Sequence, residues 1–511
     1  MSFSDRALIG PRLGIWMATA VGLLVCVAIG MAVANYAVGT AIMLATFALG
    51  LTWITTAKER WWLLVPAAGT LGGYFWFGFK LYPHEVALAG ALIPLFLGRA
   101  LRMHATEQHR SIPFPTVLNL LGLYLMAHWL GSNIYNKLDG TSGYGNVTRA
   151  YFNAFWVIVF LFAFWKHGST KYIPAALLVS YLAAGFRVGV GILTYFTSAF
   201  AYIPVINYVL PGSTHARGSD LRASGLTLAT LAACYFLIHK GFVRKSFHLF
   251  VFLGSCVALL FGSGRTVLVL VCLVPICAAL LYRKIVPLIL STFVVGTLLV
   301  ILNVEPTLLD HVAAPVQRSA SILLLNKEQS VKYGLAESSD EWHANLRALG
   351  FKKWTESWHN FLFGTGIRPY DNAIVETVAG VTTNEDYLES SAKVGAYESG
   401  WWTVIAVTGL VGLLLYLSVL VYLLRKLLPV LLHEKVRDHR HAFAFMAVFG
   451  IVIWLGLGWT NGGFPSTEIM FGFLALLAIE DKKEERRSLA ALGPPGAAEL
   501  PSRRRFAAIG E

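Results

Sequence analysis

Four arginines, Arg187, Arg217, Arg222 and Arg265, stand in or beside long apolar segments where positive charge is normally avoided. Guanidinium presents five donors in a fixed fork, and that fork matches the oxygens of a phosphate or pyrophosphate. An arginine at membrane depth costs about 2.5 to 3.5 kcal/mol on insertion scales, so a compensating acid, a water-filled cavity or an anionic ligand is expected beside it. We therefore read Arg187, Arg222 and Arg265 as residues that face a pyrophosphate. Snorkelling to lipid headgroups, or pairing with a loop acid such as Asp220, is the competing reading.

The elements that must position these arginines are apolar helices. With 56% hydrophobic and 14% charged residues and a mean hydropathy of +0.62, the chain is far less charged than a soluble protein, in which about 25% of residues carry charge. The expected fold class is an all-α polytopic membrane protein. Roughly 14 spans, each long enough to cross about 30 Å of hydrocarbon, are expected at 14–34, 36–57, 61–81, 84–98, 115–135, 150–166, 172–196, 223–240, 247–263, 266–282, 285–304, 401–424, 442–460 and 463–479. Strands of a β-barrel would be half as long and would alternate. The first apolar run lacks a convincing cleavage site, so the first helix is expected to be retained. Cys26, Cys234, Cys256, Cys272 and Cys277 all fall inside expected spans, which points to helix packing and to neither a disulfide framework nor a zinc site.

The net charge of +13 follows topology, not nucleic-acid binding. Basic residues such as Arg60, Arg102, Arg110, Lys166, Lys171, Arg244, Arg283 and Arg425 recur at alternate loops, which puts both termini in the cytoplasm. The four arginines named above then lie on the outer side.

The domain plan is eleven spans over 1–304, an outer loop over 305–400, three spans over 401–479 and a tail over 480–511. Inside the loop, Trp342, Leu346, Leu349, Trp354, Trp358 and Phe361 recur at helical steps, which predicts one amphipathic helix over 341–361. Its polar face carries His343, Asn345, Arg347, Lys352, Lys353, Glu356 and His359. The Gly364-Thr365-Gly366 turn ends it, and Pro369 follows. The tryptophans are either stacking platforms for sugar rings or interfacial anchors, and Trp401 and Trp402 read as anchors. Asn384, Glu385, Asp386 and Glu389 offer oxygen ligands, but scattered loop carboxylates are usually solvated and no metal is expected. The tail, rich in Pro, Gly, Ala and Arg, is expected to be disordered and to touch anionic lipid.

Leu221-Arg222-Ala223-Ser224-Gly225 opens one span and Ser263-Gly264-Arg265 another. Arg347 follows on the loop helix, ahead of Phe361-Leu362-Phe363-Gly364-Thr365-Gly366. Glu398 and Ser399 then precede a span containing Thr408-Gly409-Leu410-Val411-Gly412-Leu413. In this order the second half of the chain resembles the O-antigen ligase and O-antigen polymerase superfamily of bacterial membrane glycosyltransferases.

The resemblance implies a GT-C-like enzyme of the bacterial inner membrane. It would take a glycan from a polyprenyl pyrophosphate at the periplasmic face, with Arg222 and Arg265 in the pyrophosphate region and Arg217 and Arg347 counted with them. Ligases of this family carry a histidine just before the span that here begins at Trp401, whereas this chain has Tyr397-Glu398-Ser399-Gly400. Glu398 is therefore the first candidate for the base that activates the acceptor hydroxyl, with His343 and His359 behind it. The alternative for Glu398 is a helix-start carboxylate favoured by the helix dipole. Arginines holding the leaving group make a metal and a cofactor unnecessary. The implied partners are a polyprenyl-pyrophosphate-linked glycan, a saccharide or lipid-core acceptor, membrane lipids and a chain-length regulator, and no nucleic acid. Polymerisation is the leading reading and ligation to a lipid core its nearest competitor. A flippase would suit the span number but lacks related halves and matching broken helices in this sequence.

Overall fold

The computed structural model describes residues 58–71, 75–76, 80–100, 110, 112–138, 144–196, 219–261, 265–312, 314–334, 336–367, 388–389, 391–392, 395, 397–433, 438–459 and 463–491. The spans expected at 14–34 and 36–57, and Arg217, lie outside them.

The described chain is helical. In order it forms α1 (Leu64–Leu71), α2 (Pro83–Ala100), α3 (Thr116–Leu138), α4 (Tyr144–His167), α5 (Ile173–Phe196), α6 (Ser219–Ile238), α7 (Phe242–Phe261), α8 (Arg265–Leu281) and α9 (Ile285–Val304). The loop region adds α10 (Ala314–Ala320), α11 (Lys327–Gly334), α12 (Ala336–Thr355) and α13 (Trp358–Phe363). Three last helices follow, α14 (Gly400–His433), α15 (His439–Leu457) and α16 (Ser466–Ala491).

Among the described residues, four helical stretches are long and apolar enough to cross a membrane: Thr170–Leu193, Phe242–Phe261, Gly400–His433 and His439–Leu457. Shorter apolar helices cover Phe155–His167, Ser224–Ile238, Val269–Leu281 and Leu288–Val304. The protein is thus a helical membrane protein. Its surface agrees with that: α9 exposes Ile285, Val286, Ile289, Leu290, Phe293, Val300 and Val304 along one face, a contiguous apolar surface matched by hydrocarbon and not by water. The packed centre lies instead between α14, α15 and α16, where Phe443, Phe445, Phe473, Leu474 and Ala475 are buried.

Two expectations are corrected here. Among the described residues of the span expected at 61–81, Leu64–Leu71 are helical and a minimal antiparallel hairpin follows, β1 (Phe75–Trp76) with β2 (Lys80–Leu81), Phe75 opposite Leu81. The aromatic Phe75 and Trp76 prefer extended backbone.

The tail also begins later than 480, because α16 continues to Ala491. Its Glu, Asp, Lys and Arg are good helix formers, and tertiary ion pairs hold them. Arg110 Nε lies 3.1 Å from Asp481 Oδ1, and Lys482 Nζ lies 2.7 Å from Asp438 Oδ2. Arg110 also donates to the carbonyls of Phe164 and Trp165 at 3.0 and 2.6 Å, satisfying the C-terminal end of α4.

Asp438 caps α15, accepting from the backbone N–H of Arg440 at 3.0 Å and of His441 at 3.3 Å. Burial opposes its ionisation, but hydrogen bonds from His441 and Lys482, and their charges, outweigh burial and hold the carboxyl well below the usual carboxylate range. A depressed carboxyl stabilises the fold fully above its unfolded value, near about 4, and loses that contribution as pH falls through the folded value. Asp438→Ala should therefore cost about 1 to 2 kcal/mol at neutral pH. Below about pH 4 the gap from the native protein should narrow, as read by thermal unfolding in detergent.

Candidate functional site

The site is built on a break in α14. This helix is interrupted at Gly409, whose φ of 67° and ψ of −173° are not helical. Such a break frees backbone carbonyls, which at membrane depth must find new donors. The segment after α13 supplies them: Thr365 N–H donates to Ala406 O at 2.8 Å and Gly366 N–H to Val407 O at 3.1 Å. The Tyr124 hydroxyl donates to Thr408 O at 2.5 Å.

Gly364 and Gly409 meet back to back, both in left-handed backbone. A Cβ on Gly364 would lie 2.6 Å from Gly409 N, and one on Gly409 would lie 2.5 Å from Gly364 N. Two glycines 45 residues apart are thus required by one contact. Gly409→Ala is expected to cost about 2 to 5 kcal/mol, since it adds both strain and a backbone clash. Gly456→Ala on α15, with open space around it, is the control in the same thermal unfolding series.

His128 and Tyr151 pin the inserted segment. His128 Nε2 lies 2.5 Å from Phe363 O, and a carbonyl only accepts, so Nε2 carries the proton. Nδ1 then accepts from the Tyr151 hydroxyl at 2.6 Å, and that hydroxyl accepts from Ile367 N–H at 3.2 Å. Sequence reasoning missed both residues. Their signal was a histidine and a tyrosine among apolar residues, with nothing to say which loop they would meet.

On this platform α12 packs against the start of α14. His343, Leu346, Arg347 and Gly350 share one face of α12 at spacings of three and four residues. Leu346 is fully buried, and a Cβ on Gly350 would come to 3.2 Å from the Tyr397 ring. Tyr397 is itself buried, and Ser399 Oγ is anchored on the carbonyls of Gly458 and Trp459 at 2.9 and 2.8 Å. Glu398, held between them, has a φ of 52°, a left-handed conformation that costs a non-glycine residue energy and is met at functional positions.

The outcome is a carboxylate–imidazole pair: His343 Nδ1 lies 3.3 Å from Glu398 Oε2, with the two side chains 33% and 51% exposed. With a proton on Nδ1, Nε2 would be the nitrogen left to accept one. Arg347 lies one turn further along α12, with no acidic partner among the described residues. His359 is elsewhere, on α13 with its ring 5.6 Å from Phe363.

The loop helix differs from its expectation in two respects. It begins earlier, at Ala336, and it breaks at Thr355, after which Ser357 caps α13 by accepting from Asn360 N–H. The stop at Gly364 falls where expected. Trp401 and Trp402, expected as interfacial anchors, both pack into the protein. Trp402 is buried, and Trp401 stacks on Trp454 at 5.8 Å and donates to its carbonyl at 3.2 Å. Trp358 is the exposed tryptophan of the loop, at 79%.

Arg222 and Arg265 fall in the first turns of their helices, whereas Arg187 lies inside α5, nine residues before its end. Arg187 on α5 is 2% exposed, which removes the snorkelling reading for it. One turn on, Gly191 packs against Leu221, the residue before Arg222 in the first turn of α6. A Cβ on Gly225 would lie 2.9 Å from Leu259 near the end of α7, and Arg265 is the first residue of α8. The side chains of Arg222 and Arg265 lie outside the described residues. Glu389 lies 3.8 Å from Lys353, and among the described residues no group of three or more His, Cys, Asp or Glu is arranged to hold a metal. Asn384, Glu385 and Asp386 lie outside the described residues.

No family model matches this chain, and no curated protein or solved structure matches it either.

Proposed function

We propose that this protein transfers a glycan from a polyprenyl-pyrophosphate donor to a saccharide acceptor at the outer face of the bacterial inner membrane, polymerising a surface or secreted polysaccharide. The observation that carries the reading is the Glu398–His343 pair, formed between the large loop and the mouth of α14. In the proposed step the acceptor hydroxyl gives its proton to this pair as its oxygen bonds to the anomeric carbon. The bond from that carbon to the pyrophosphate oxygen breaks, and the polyprenyl pyrophosphate leaves with the electron pair. Arg265 and Arg222 would hold the developing charge, with Arg187 behind them. Arg347, one turn from His343, would orient the donor phosphates or the acceptor. The architecture this reading expects is a GT-C-like bundle of about fourteen spans with both termini cytoplasmic.

A transporter that uses a broken helix leaves its freed backbone groups for the cargo or coupling ion. Here Thr365, Gly366 and Tyr124 occupy the carbonyls freed in α14, which favours the enzyme reading.

The test places the purified protein in lipid nanodiscs with a polyprenyl-pyrophosphate-linked repeat unit and no other acceptor, and sizes the products. A ladder of lengthened glycans is the expected result. Unchanged donor that is consumed only after a lipid-core acceptor is added would make the protein a ligase.

A further inference from the structure

The strongest site outside the loop lies at the opposite end of the bundle. The end of α15 meets Ser399 at the loop, and its 19 residues place its start about 28 Å away, at the other membrane surface. There a small cleft, open to solvent, separates the start of α15 from residues 479–486 of α16.

Arg440, Lys482, Lys483 and Arg486 line this cleft together with Asp438, His441 and the buried Ile479. Two of the four cations are neutralised within the protein. Lys482 pairs with Asp438 at 2.7 Å, and Lys483 with Glu480 at 3.0 Å. Arg440 and Arg486 have no acidic partner among the described residues, so two guanidinium forks face one cleft uncompensated. Asp438 also occupies the N–H groups at the start of α15, so the anion-binding capacity rests on the side chains.

We propose that this cleft binds the phosphate of an anionic phospholipid headgroup from the inner leaflet. Two forked donors suit the oxygens of a phosphodiester. The position at the membrane surface suits a tethered phosphate better than a free one. Occupancy would tie α15 to α16 through the ligand, in addition to the Lys482–Asp438 pair.

The test uses the full-length protein in detergent and native mass spectrometry with phosphatidylglycerol or phosphatidylcholine. Arg440→Gln combined with Arg486→Gln should weaken retention of phosphatidylglycerol about tenfold or more, while Arg487→Gln, outside the cleft, leaves it unchanged. Equal retention in the double variant and the Arg487→Gln control overturns the proposal. A second measurement needs no variant: phosphatidylglycerol should raise the Tm of the native protein more than phosphatidylcholine does. The absence of that difference overturns the proposal, and an equal rise with inorganic phosphate alone overturns the lipid source. Neither readout depends on glycan transfer.

Discussion

Arg265→Ala is expected to abolish glycan lengthening while the protein remains in the membrane at its normal level. Departure of a polyprenyl pyrophosphate concentrates negative charge on the leaving oxygens, and with no metal in the proposed mechanism that charge must be met by arginines and helix ends. Removing one such preorganised donor costs about 100- to 1000-fold in rate. Arg265 is the first residue of α8, so its backbone position adds the positive end of a helix dipole to the guanidinium charge. Arg265→Lys should recover part of the rate through charge alone, without the bidentate fork. The measurement is the length and amount of polymer made by membranes matched for protein content. Near-normal polymer from Arg265→Ala would move the pyrophosphate away from α8 and return this arginine to a structural role.

What the sequence made legible depended on the range of the interaction. Apolar runs such as 401–424 and 442–460 became helices because a backbone in hydrocarbon has few other ways to satisfy itself. The 61–81 run failed the same reading because its second half trades helix formers for glycines and alternating aromatics, a local signal outweighed by its hydropathy. The amphipathic pattern of 341–361 located the loop helix, but the stop at Thr355 needed the Ser357 cap, which the pattern spans without a gap. In the sequence, the six residues from Phe361 to Gly366 and the glycines of α14 are separate signals. That Gly364 and Gly409 touch, and that a loop closes a broken span, is a long-range fact that no periodicity carries. Likewise the types Glu398 and His343 suggested acid–base chemistry, whereas their approach to 3.3 Å depends on Gly350 seating α12 against Tyr397.

That approach makes the second large prediction specific. Glu398→Gln keeps the size and most hydrogen bonds of the side chain but removes its charge, so a fall of about 100- to 10,000-fold in the rate at saturating donor is expected if the pair takes the acceptor proton. The two residues can divide the work in two ways, and a double-mutant cycle separates them. If Glu398 orients His343 and His343 Nε2 is the base, His343→Gln should be as severe as Glu398→Gln. The double variant should then be little worse than either, as for residues that act as one unit. If Glu398 is itself the base, His343→Gln should cost much less, and the double variant should match Glu398→Gln. A Glu398→Gln variant with a normal rate would assign the proton to another group. The left-handed backbone at Glu398 would then be explained by the packing of Tyr397 and Ser399 alone.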